Sequence, residues 1–547
     1  MSGTSWQDVA EDFQGRRASS IPAKWVISKS VLNEELQKSK RVISMLPKWL
    51  SPKEIEITVL CTSSLAAGIR TGQYTCFQVT EAFCHRAAIA HQLTNCLTEI
   101  FFDEALDQAR LLDAKLSSTD KPEGLLLGVP VSIKDHYNIK GQYTTAGYIS
   151  YANNPAKERD AHIVEILRGA GAILFAKTNN PQCMMVLETV SNIYGRTLNP
   201  WNTELGAGGS SGGEGALLAL QGSPLGLGSD IGGSIRIPAA FNGLYGFKPT
   251  AGRVPTSGWE CTMSGSESIP AVAGPLSHSV DDLELFFKVV SDAQPWLKEP
   301  LLYQPWKSRP ASQVDKLAVG IMTWDEVVMP HPYITRVVKD VADRLRLAGH
   351  DVIDFQPYDH KRAWDDILLP LYFTDGGLDI RQTLAAGNEP MLPCAKRLIE
   401  DPLVKQRSVG EVWKLNIARD KYRMEYLQKW ADTSQTTRSK KPMDILICPV
   451  APLQGTPHDI KPWWGYCAQW NLLDYPSGVI PAGKVLGDDS YPVGYQPVND
   501  LDRENMELFD IERYCGMPVA IQIVGQRQQD ESVMSAMKVI DNIMNPR

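Results

Sequence analysis

Three residues have types and settings suited to nucleophilic chemistry: Ser234 in Ser229-Asp230-Ile231-Gly232-Gly233-Ser234, Ser210 in Gly208-Gly209-Ser210-Ser211-Gly212-Gly213, and Lys134 at the end of Val131-Ser132-Ile133-Lys134. A serine nucleophile needs a proton acceptor beside it and backbone N–H donors aimed at the oxyanion that forms on its substrate. Gly232 and Gly233 suit the second need, because glycine adopts backbone angles closed to other residues and leaves no side chain over the site. Each such donor typically stabilises a transition state by about 3–4 kcal/mol. Lysine meets the first need if it is neutral. Lys134 follows an apolar stretch, where burial would lower its pKa, and a fall of about 3 units corresponds to about 4 kcal/mol. Ser210 or Ser211 would bridge that lysine to Ser234.

Other readings compete for the same residues. The Gly-Gly-Ser-Ser-Gly-Gly run looks like a phosphate-cradling loop, but no Lys-Ser/Thr pair completes a P-loop and neither glycine run satisfies G-x-G-x-x-G. Gly209 to Gly213 formally matches the G-x-S-x-G nucleophile elbow; that motif follows a strand directly, whereas residues 199–208 read as a loop. Lys177, in Phe175-Ala176-Lys177-Thr178, is a second candidate base. His136, two residues past Lys134, reads as a partly exposed turn histidine. Asp230 and Arg236 flank the nucleophile as a structural ion pair or an ordering device for the turn. Ser229 either hydrogen-bonds this group or serves as a plain turn residue. Glu214 falls in the first turn of a helix, where a carboxylate favours the macrodipole.

The elements that must hold these residues can be read from periodicity. Residues 125–136, Leu-Leu-Leu-Gly-Val-Pro-Val-Ser-Ile-Lys-Asp-His, form a short apolar run that reads as a buried strand ending near Lys134. A helix over 162–171 leads through Gly169 and Gly171 into a second strand over 172–178, an alternation that predicts a mostly parallel sheet. Helices are expected at Thr62–Ile69, Thr75–His91 and Asp103–Leu116. Residues 206–258 are dense in glycine and serine yet threaded with Leu, Ile, Phe and Tyr, so they read as packed core with tight turns and not as a linker. Strand, helix and strand follow over 317–355. Two further strands and a helix close the chain, at 443–450, 517–525 and 530–544. The aromatic run Trp463, Trp464, Tyr466 and Trp470 is read either as the wall of a ring-sized pocket or as buried packing.

Composition excludes several classes. The 547 residues are 43% hydrophobic and 22% charged, an ordinary globular balance. The net charge of -8 comes from acidic and basic residues mixed along the chain, so there is no polybasic stripe for nucleic acid. No window approaches the roughly 18 uninterrupted apolar residues of a membrane span, and the polar, acidic start is unlike a secretory signal, so a soluble cytoplasmic protein is expected. Ten scattered cysteines without a C-x-x-C pair read as buried free thiols, and nine dispersed histidines give no metal motif. Neither metal nor cofactor is expected.

Three motifs then appear in order: residues 128–135, Gly-Val-Pro-Val-Ser-Ile-Lys-Asp; residues 208–220, opening on Gly-Gly-Ser-Ser-Gly-Gly-Glu; and residues 228–250, opening on Gly-Ser-Asp-Ile-Gly-Gly-Ser-Ile-Arg. In these motifs and their spacing the chain resembles the amidase signature family, over roughly residues 60–545. Its opening at 5–25, the segment 87–102 and Asn471-Leu472-Leu473-Asp474-Tyr475 are most similar to fungal acetamidase-type general amidases. The resemblance implies an α/β fold, a central mixed β-sheet covered on both sides by α-helices. Residues 59–547 would form the catalytic domain, with a motif core at about 125–280, and residues 1–58 a helical N-terminal extension. It implies a Ser-Ser-Lys triad: Lys134 takes the proton of Ser210, Ser210 that of Ser234, and Ser234 attacks the carbonyl. It also implies a cis peptide between Gly209 and Ser210, an oxyanion held by the amides of Ile231, Gly232, Gly233 and Ser234, and an acyl pocket lined by Met184 and Met185. The expected reaction converts a small-molecule amide to an acid and ammonia through an acyl-enzyme. A homodimer is usual for the family. Two alternatives share the scaffold: the amidase-fold subunit of a glutamine-dependent tRNA amidotransferase, and a catalytically silent scaffold protein.

Overall fold

A computed structural model describes residues 5–118, 124–314 and 316–546. Its strands are β1 (Leu97–Ile100), β2 (Pro130–Lys134), β3 (Ile173–Thr178), β4 (Val190–Ser191), β5 (Gly195–Arg196), β6 (Leu198–Asn199), β7 (Asn202–Gly206), β8 (Leu225–Asp230), β9 (Tyr245–Lys248), β10 (Val272–Ser277), β11 (Ala318–Ile321), β12 (Asp351–Asp354), β13 (Ile445–Pro449), β14 (Ser477–Lys484) and β15 (Pro518–Val524). Eleven of them form one sheet in the order β1-β3-β2-β8-β10-β9-β14-β15-β13-β11-β12. The sheet is mixed: β3, β2 and β8 run parallel, as do β13, β11 and β12, while the pairs from β8 to β13 by way of β10, β9, β14 and β15 are antiparallel. Helices cover both faces. One large apolar core packs beneath helices such as Cys76–Thr94, Pro332–Leu347 and Asp530–Met544, and a second beneath Val409–Asp432 and Gly465–Leu472. Every residue of β2, β3 and β8 is buried, which is why these strands lack polar alternation and, Ser132 apart, carry polar side chains only at their C-terminal ends.

The predicted helices and strands around the motifs form where the periodicity put them, with ends displaced by a few residues: Thr62–Arg70, Cys76–Thr94, Phe102–Ser118 and His162–Gly169 are helical. Residues 199–208 differ from expectation. Instead of a loop, β6 and β7 pair as a hairpin, with Leu198 opposite Gly206. This hairpin is separate from the main sheet, so Ser210 does not stand on the strand-to-helix turn of a nucleophile elbow.

The N-terminal residues form helices Trp6–Ser19, Lys29–Lys38 and Pro52–Thr58, each opened by a serine whose side chain accepts from the first-turn backbone. Ala10 and Phe13 of the first pack against Ile149, Ala152, Ile193 and Tyr194, and the Arg17 guanidinium donates to the Leu97 carbonyl at 2.8 Å.

The glycine density of residues 206–233 has a packing cause. A Cβ on Gly209 would lie 2.5 Å from the Val186 carbonyl oxygen, and one on Gly213 would lie 2.3 Å from the Asn179 nitrogen. On β8, a Cβ at Gly226 would meet the Glu214 carboxylate at 2.2 Å. These approaches bring the helix Gly212–Ala219 flush against the sheet, with Ser210 and Ser211 immediately before it.

Candidate active site

Lys134 is the last residue of β2, and its side chain is wholly buried. Its Nζ donates to Ser210 Oγ at 2.6 Å and to Ser229 Oγ at 3.0 Å. Burial drives the ammonium down to a pKa of about 7, against the opposing pull of Asp230 and Glu214. Of the two serines that stood as bridges, the structure brings Ser210 to the lysine. Ser211 instead donates its hydroxyl to the Ser229 carbonyl at 3.4 Å, and its amide to the Ser234 carbonyl at 3.1 Å, tying the two serine segments together. The peptide between Gly209 and Ser210 is cis.

Ser234 lies in the turn between β8 and the helix Arg236–Asn242. The Asp230 carboxylate organises that turn by accepting from the Gly233 amide at 2.8 Å and the Ile235 amide at 3.1 Å. It also takes Arg236 in a two-pronged pair, Nε at 3.0 Å and Nη2 at 2.9 Å. Burial would raise the Asp230 carboxyl, yet the adjacent Arg236 guanidinium holds it well below the usual carboxylate range. Arg236 is itself buried, and donates further to the Cys467 carbonyl, Gln522 Oε1 and Asn471 Oδ1 at 3.0, 2.7 and 2.6 Å. The pair is structural, and it corrects one expectation: the Gly233 amide is occupied by Asp230 instead of facing an oxyanion. Among the described residues, the amides of Ile231, Gly232 and Ser234 carry no hydrogen bond.

A cavity of about 490 Å³ opens over these residues. Met184, Met185, Ser210, Ile231 and Ser234 line it; Gly232 and Gly233 stand behind, where a Cβ would strike Trp464 and Cys467 respectively. No hydrogen bond joins the Ser210 and Ser234 hydroxyls among the described residues, although both face the cavity. Sequence reasoning missed Trp259, Tyr372 and the segment Cys261–Glu267, which complete the wall. No local motif marks them: Trp259 and residues 261–267 follow just beyond the glycine- and serine-rich segment, and Tyr372 comes from a helix end far along the chain. The aromatic run at 463–470 is buried packing and not cavity wall: Trp463 Nε1 donates to Asp325 Oδ2 at 2.7 Å, and Trp464 stacks on Tyr372.

Three neighbours take places other than those expected. His136 is buried, 3% exposed, and clusters with the rings of Tyr137 and Trp259 at 4.3 and 5.3 Å; burial, reinforced by Lys134, keeps it neutral. It does stand in a turn, as expected, but as a buried wall residue and not a partly exposed one. Lys177 is held by Asp135 at 3.6 Å and donates to the Tyr143 carbonyl and Thr144 Oγ1, away from both serines. Glu214 does lie in a first helical turn, but its carboxyl is buried and accepts from Ser132 Oγ at 2.6 Å and Thr178 Oγ1 at 2.9 Å. Burial pushes it up to about 8, so packing accounts for it better than the macrodipole does.

Among the described residues, one group, Glu188, Cys394 and Asp459, has metal-ligand proximity. Arg196 bridges its two carboxylates, and His458 Nδ1 meets Glu188 at 2.7 Å, so its charge is already matched by protein groups. Among the described residues, no helix is long and apolar enough to cross a membrane.

Comparison with known proteins places this geometry in context. A family model described as Amidase matches residues 78–534. The chain is 38% identical to an acetamidase of Emericella nidulans over 99% of this chain and 100% of that protein. It is 39% identical to an acetamidase of Aspergillus oryzae over 100% of both. Among solved structures, a fatty acid amide hydrolase matches with a TM-score of 0.92 at 33% identity, covering 99% of this chain and 95% of that one.

Proposed function

Since this chain belongs to the amidase family and is an amide-hydrolysing enzyme, we propose that it converts small carboxamides to the acid and ammonia through a Ser234, Ser210 and Lys134 triad. The observation that carries this reading is the 2.6 Å contact between Ser210 and a buried lysine with a pKa of about 7, beside a cavity that also holds Ser234. Near neutral pH such a lysine is neutral in a large fraction of molecules, so it can accept a proton.

Ser234 Oγ attacks the amide carbonyl carbon while its proton passes to Ser210 Oγ and that of Ser210 to Lys134 Nζ. The Ser234 hydroxyl turns towards Ser210 for this step, as catalytic hydrogen bonds tighten in the substrate complex. The carbonyl π electrons move to oxygen, and the unengaged amides of Ile231, Gly232 and Ser234 receive that oxyanion. Collapse breaks the C–N bond; Ser210 protonates the departing amine and recovers its proton from Lys134. Water, deprotonated by the same relay, then attacks the ester on Ser234 and releases the acid.

The lining of the cavity favours a neutral acyl group. It includes no lysine or arginine, so nothing there would pair with the α-carboxylate of glutamine, which a glutamine-dependent amidotransferase subunit must hold. Its volume of about 490 Å³ accommodates arylalkyl acyl groups as well as acetyl. The ten cysteines are all free, which suits a reducing cytoplasm.

The test is kinetic and covalent together. Ser234→Ala abolishes turnover and labelling by a fluorophosphonate. Lys134→Ala and Ser210→Ala remain folded and lose at least about 10²-fold in kcat, the lower end of what positioned proton transfer contributes. Near wild-type rates for Lys134→Ala at neutral pH would overturn the lysine base. Full activity of Ser210→Ala would remove the relay.

A further inference from the structure

The Ile231-Gly232-Gly233 turn contains two consecutive glycines, and glycine peptides rotate with little steric resistance. A donor built on such a turn is preorganised only if something outside the turn holds each peptide plane. Asp230 holds the plane after Gly232 by accepting the Gly233 amide at 2.8 Å. The preceding plane, Ile231 to Gly232, is held from the opposite direction. The Tyr372 hydroxyl donates to the Ile231 carbonyl at 2.5 Å. This peptide is trans, so its carbonyl and the Gly232 N–H point in opposite directions. Anchoring one therefore fixes the other.

The anchor is itself braced. Tyr372 ends the helix Leu369–Tyr372, which continues a π-helical stretch, Ala363–Leu368; such stretches are frequent at functional sites. Its ring stacks on Trp464 at 5.6 Å with the planes 8° apart, and Trp464 packs edge-on against Trp364 of the π-helical stretch at 5.0 Å. Trp464 lies so close behind Gly232 that a Cβ there would come within 2.2 Å of the indole, and within 3.2 Å of the Tyr372 hydroxyl. Burial raises the Tyr372 pKa well above its ordinary value, so the hydroxyl stays protonated and remains a donor throughout the working range.

We propose that Tyr372 is a positioning residue for hydrolysis: through its hydrogen bond to the Ile231 carbonyl it holds the Gly232 N–H towards the oxyanion. The proposal rests on Ser234 being the nucleophile. It assigns Tyr372 no contact with the reacting atoms and no proton transfer. Its ring also forms part of the cavity wall, so the hydroxyl has to be separated from the ring in the test.

Tyr372→Phe keeps the ring and the stack on Trp464 while deleting the donor. The expected result is a loss of about 10- to 100-fold in kcat, somewhat less than deletion of an oxyanion donor itself, with KM changed less than about threefold. Inhibition by an aldehyde analogue, which forms a tetrahedral adduct on Ser234, weakens in proportion to kcat. Inhibition by the product acid, which forms no oxyanion, is unaffected. The acid limb of the pH profile stays where it is in the wild type. Replacing Tyr372 with 4-aminophenylalanine, which restores a donor at the same position, recovers most of the rate.

A Phe variant within about twofold of wild-type kcat would overturn the proposal. So would equal impairment of the Phe and 4-aminophenylalanine variants, which would assign the loss to packing. Should the Phe variant fail to fold, activity of the 4-aminophenylalanine protein decides: near wild type supports the donor, and a folded but inactive protein refutes it. Failure of the underlying reading looks different, since wild type would then be inactive on amides or Ser234→Ala active.

Discussion

At the scale of the residue, the account depends on where one proton resides. Lys134 must be neutral to accept from Ser210, and burial brings its pKa to about 7. Below that value the ammonium dominates and the relay has no acceptor; above it the amine dominates. The kcat profile should therefore rise through an acid limb near pH 7 and level off at higher pH. Of the two carboxyls near the lysine that favour the ammonium, Asp230 is held ionised by Arg236, whereas burial keeps Glu214 largely protonated near pH 7. Glu214→Gln keeps an acceptor for Ser132 and Thr178 and, because burial pushes the Glu214 carboxyl up to about 8, removes little charge near pH 7, so its acid limb should stay close to that of the wild type. A limb well displaced in either direction in the pH dependence of ammonia release would contradict the electrostatic assignment.

The residues of this proton path were legible in sequence because each sits in a dense local signature: a glycine-punctuated apolar strand for Lys134, and glycine-flanked turns for Ser210 and Ser234. The sequence left Ser210 and Ser211 as rival bridges. Residue types and spacing cannot separate neighbours on one tight turn; the family resemblance singled out Ser210, and Ser210 is the one that meets Lys134, at 2.6 Å. Tyr372 and Trp259 could not be read at all, since their relevance comes from spatial approach across the molecule.

At the scale of the element, the turn after β8 is a small buried machine of charge. Asp230 ties two backbone amides and one guanidinium, and Arg236 reaches on to Cys467, Asn471 and Gln522. Removing one member of a buried, hydrogen-bonded pair leaves an uncompensated charge and typically costs about 3–5 kcal/mol. Asp230→Asn should accordingly lower thermal stability sharply and, because it also weakens the hold on the Gly233 amide, reduce turnover in whatever protein remains folded. Unchanged melting by calorimetry would show that the pair contributes far less than its geometry implies.

The elements themselves were read with uneven success for physical reasons. β2 and β3 are apolar and β-branched between glycines, which is a strong strand signal. The β6–β7 hairpin carries Asn202, Thr203 and Glu204 and spans little apolar surface, so its sequence resembles a loop and its pairing emerges only from the register of Leu198 with Gly206. The aromatic run at 463–470 offered two readings, and burial decided for packing.

At the scale of the whole molecule, one eleven-stranded sheet joins two cores, and the motif residues occupy a limited part of it: β2 and β8 are paired neighbours, with the helix Gly212–Ala219 laid against them. The remaining wall of the cavity comes from Cys183, Met184, Met185, Trp259, the segment 261–267, Pro270, Ala271 and Tyr372. A cavity that is largely apolar should reward apolar acyl groups at about 0.8 kcal/mol per buried CH₂, or roughly fourfold in kcat/KM for each carbon. An unbranched series beginning at acetamide should show that rise until the cavity is filled. A flat or falling series would mean that the acyl group does not occupy this space.

The central claim is amide hydrolysis by Ser234, and its most direct test is ammonia release from acetamide, benzamide, phenylacetamide and indoleacetamide, measured with purified wild type and Ser234→Ala side by side. The account predicts release by the wild-type chain alone, without partner subunits, and none by the variant. Release that persists in Ser234→Ala, or no release from any amide by the wild type, would contradict it.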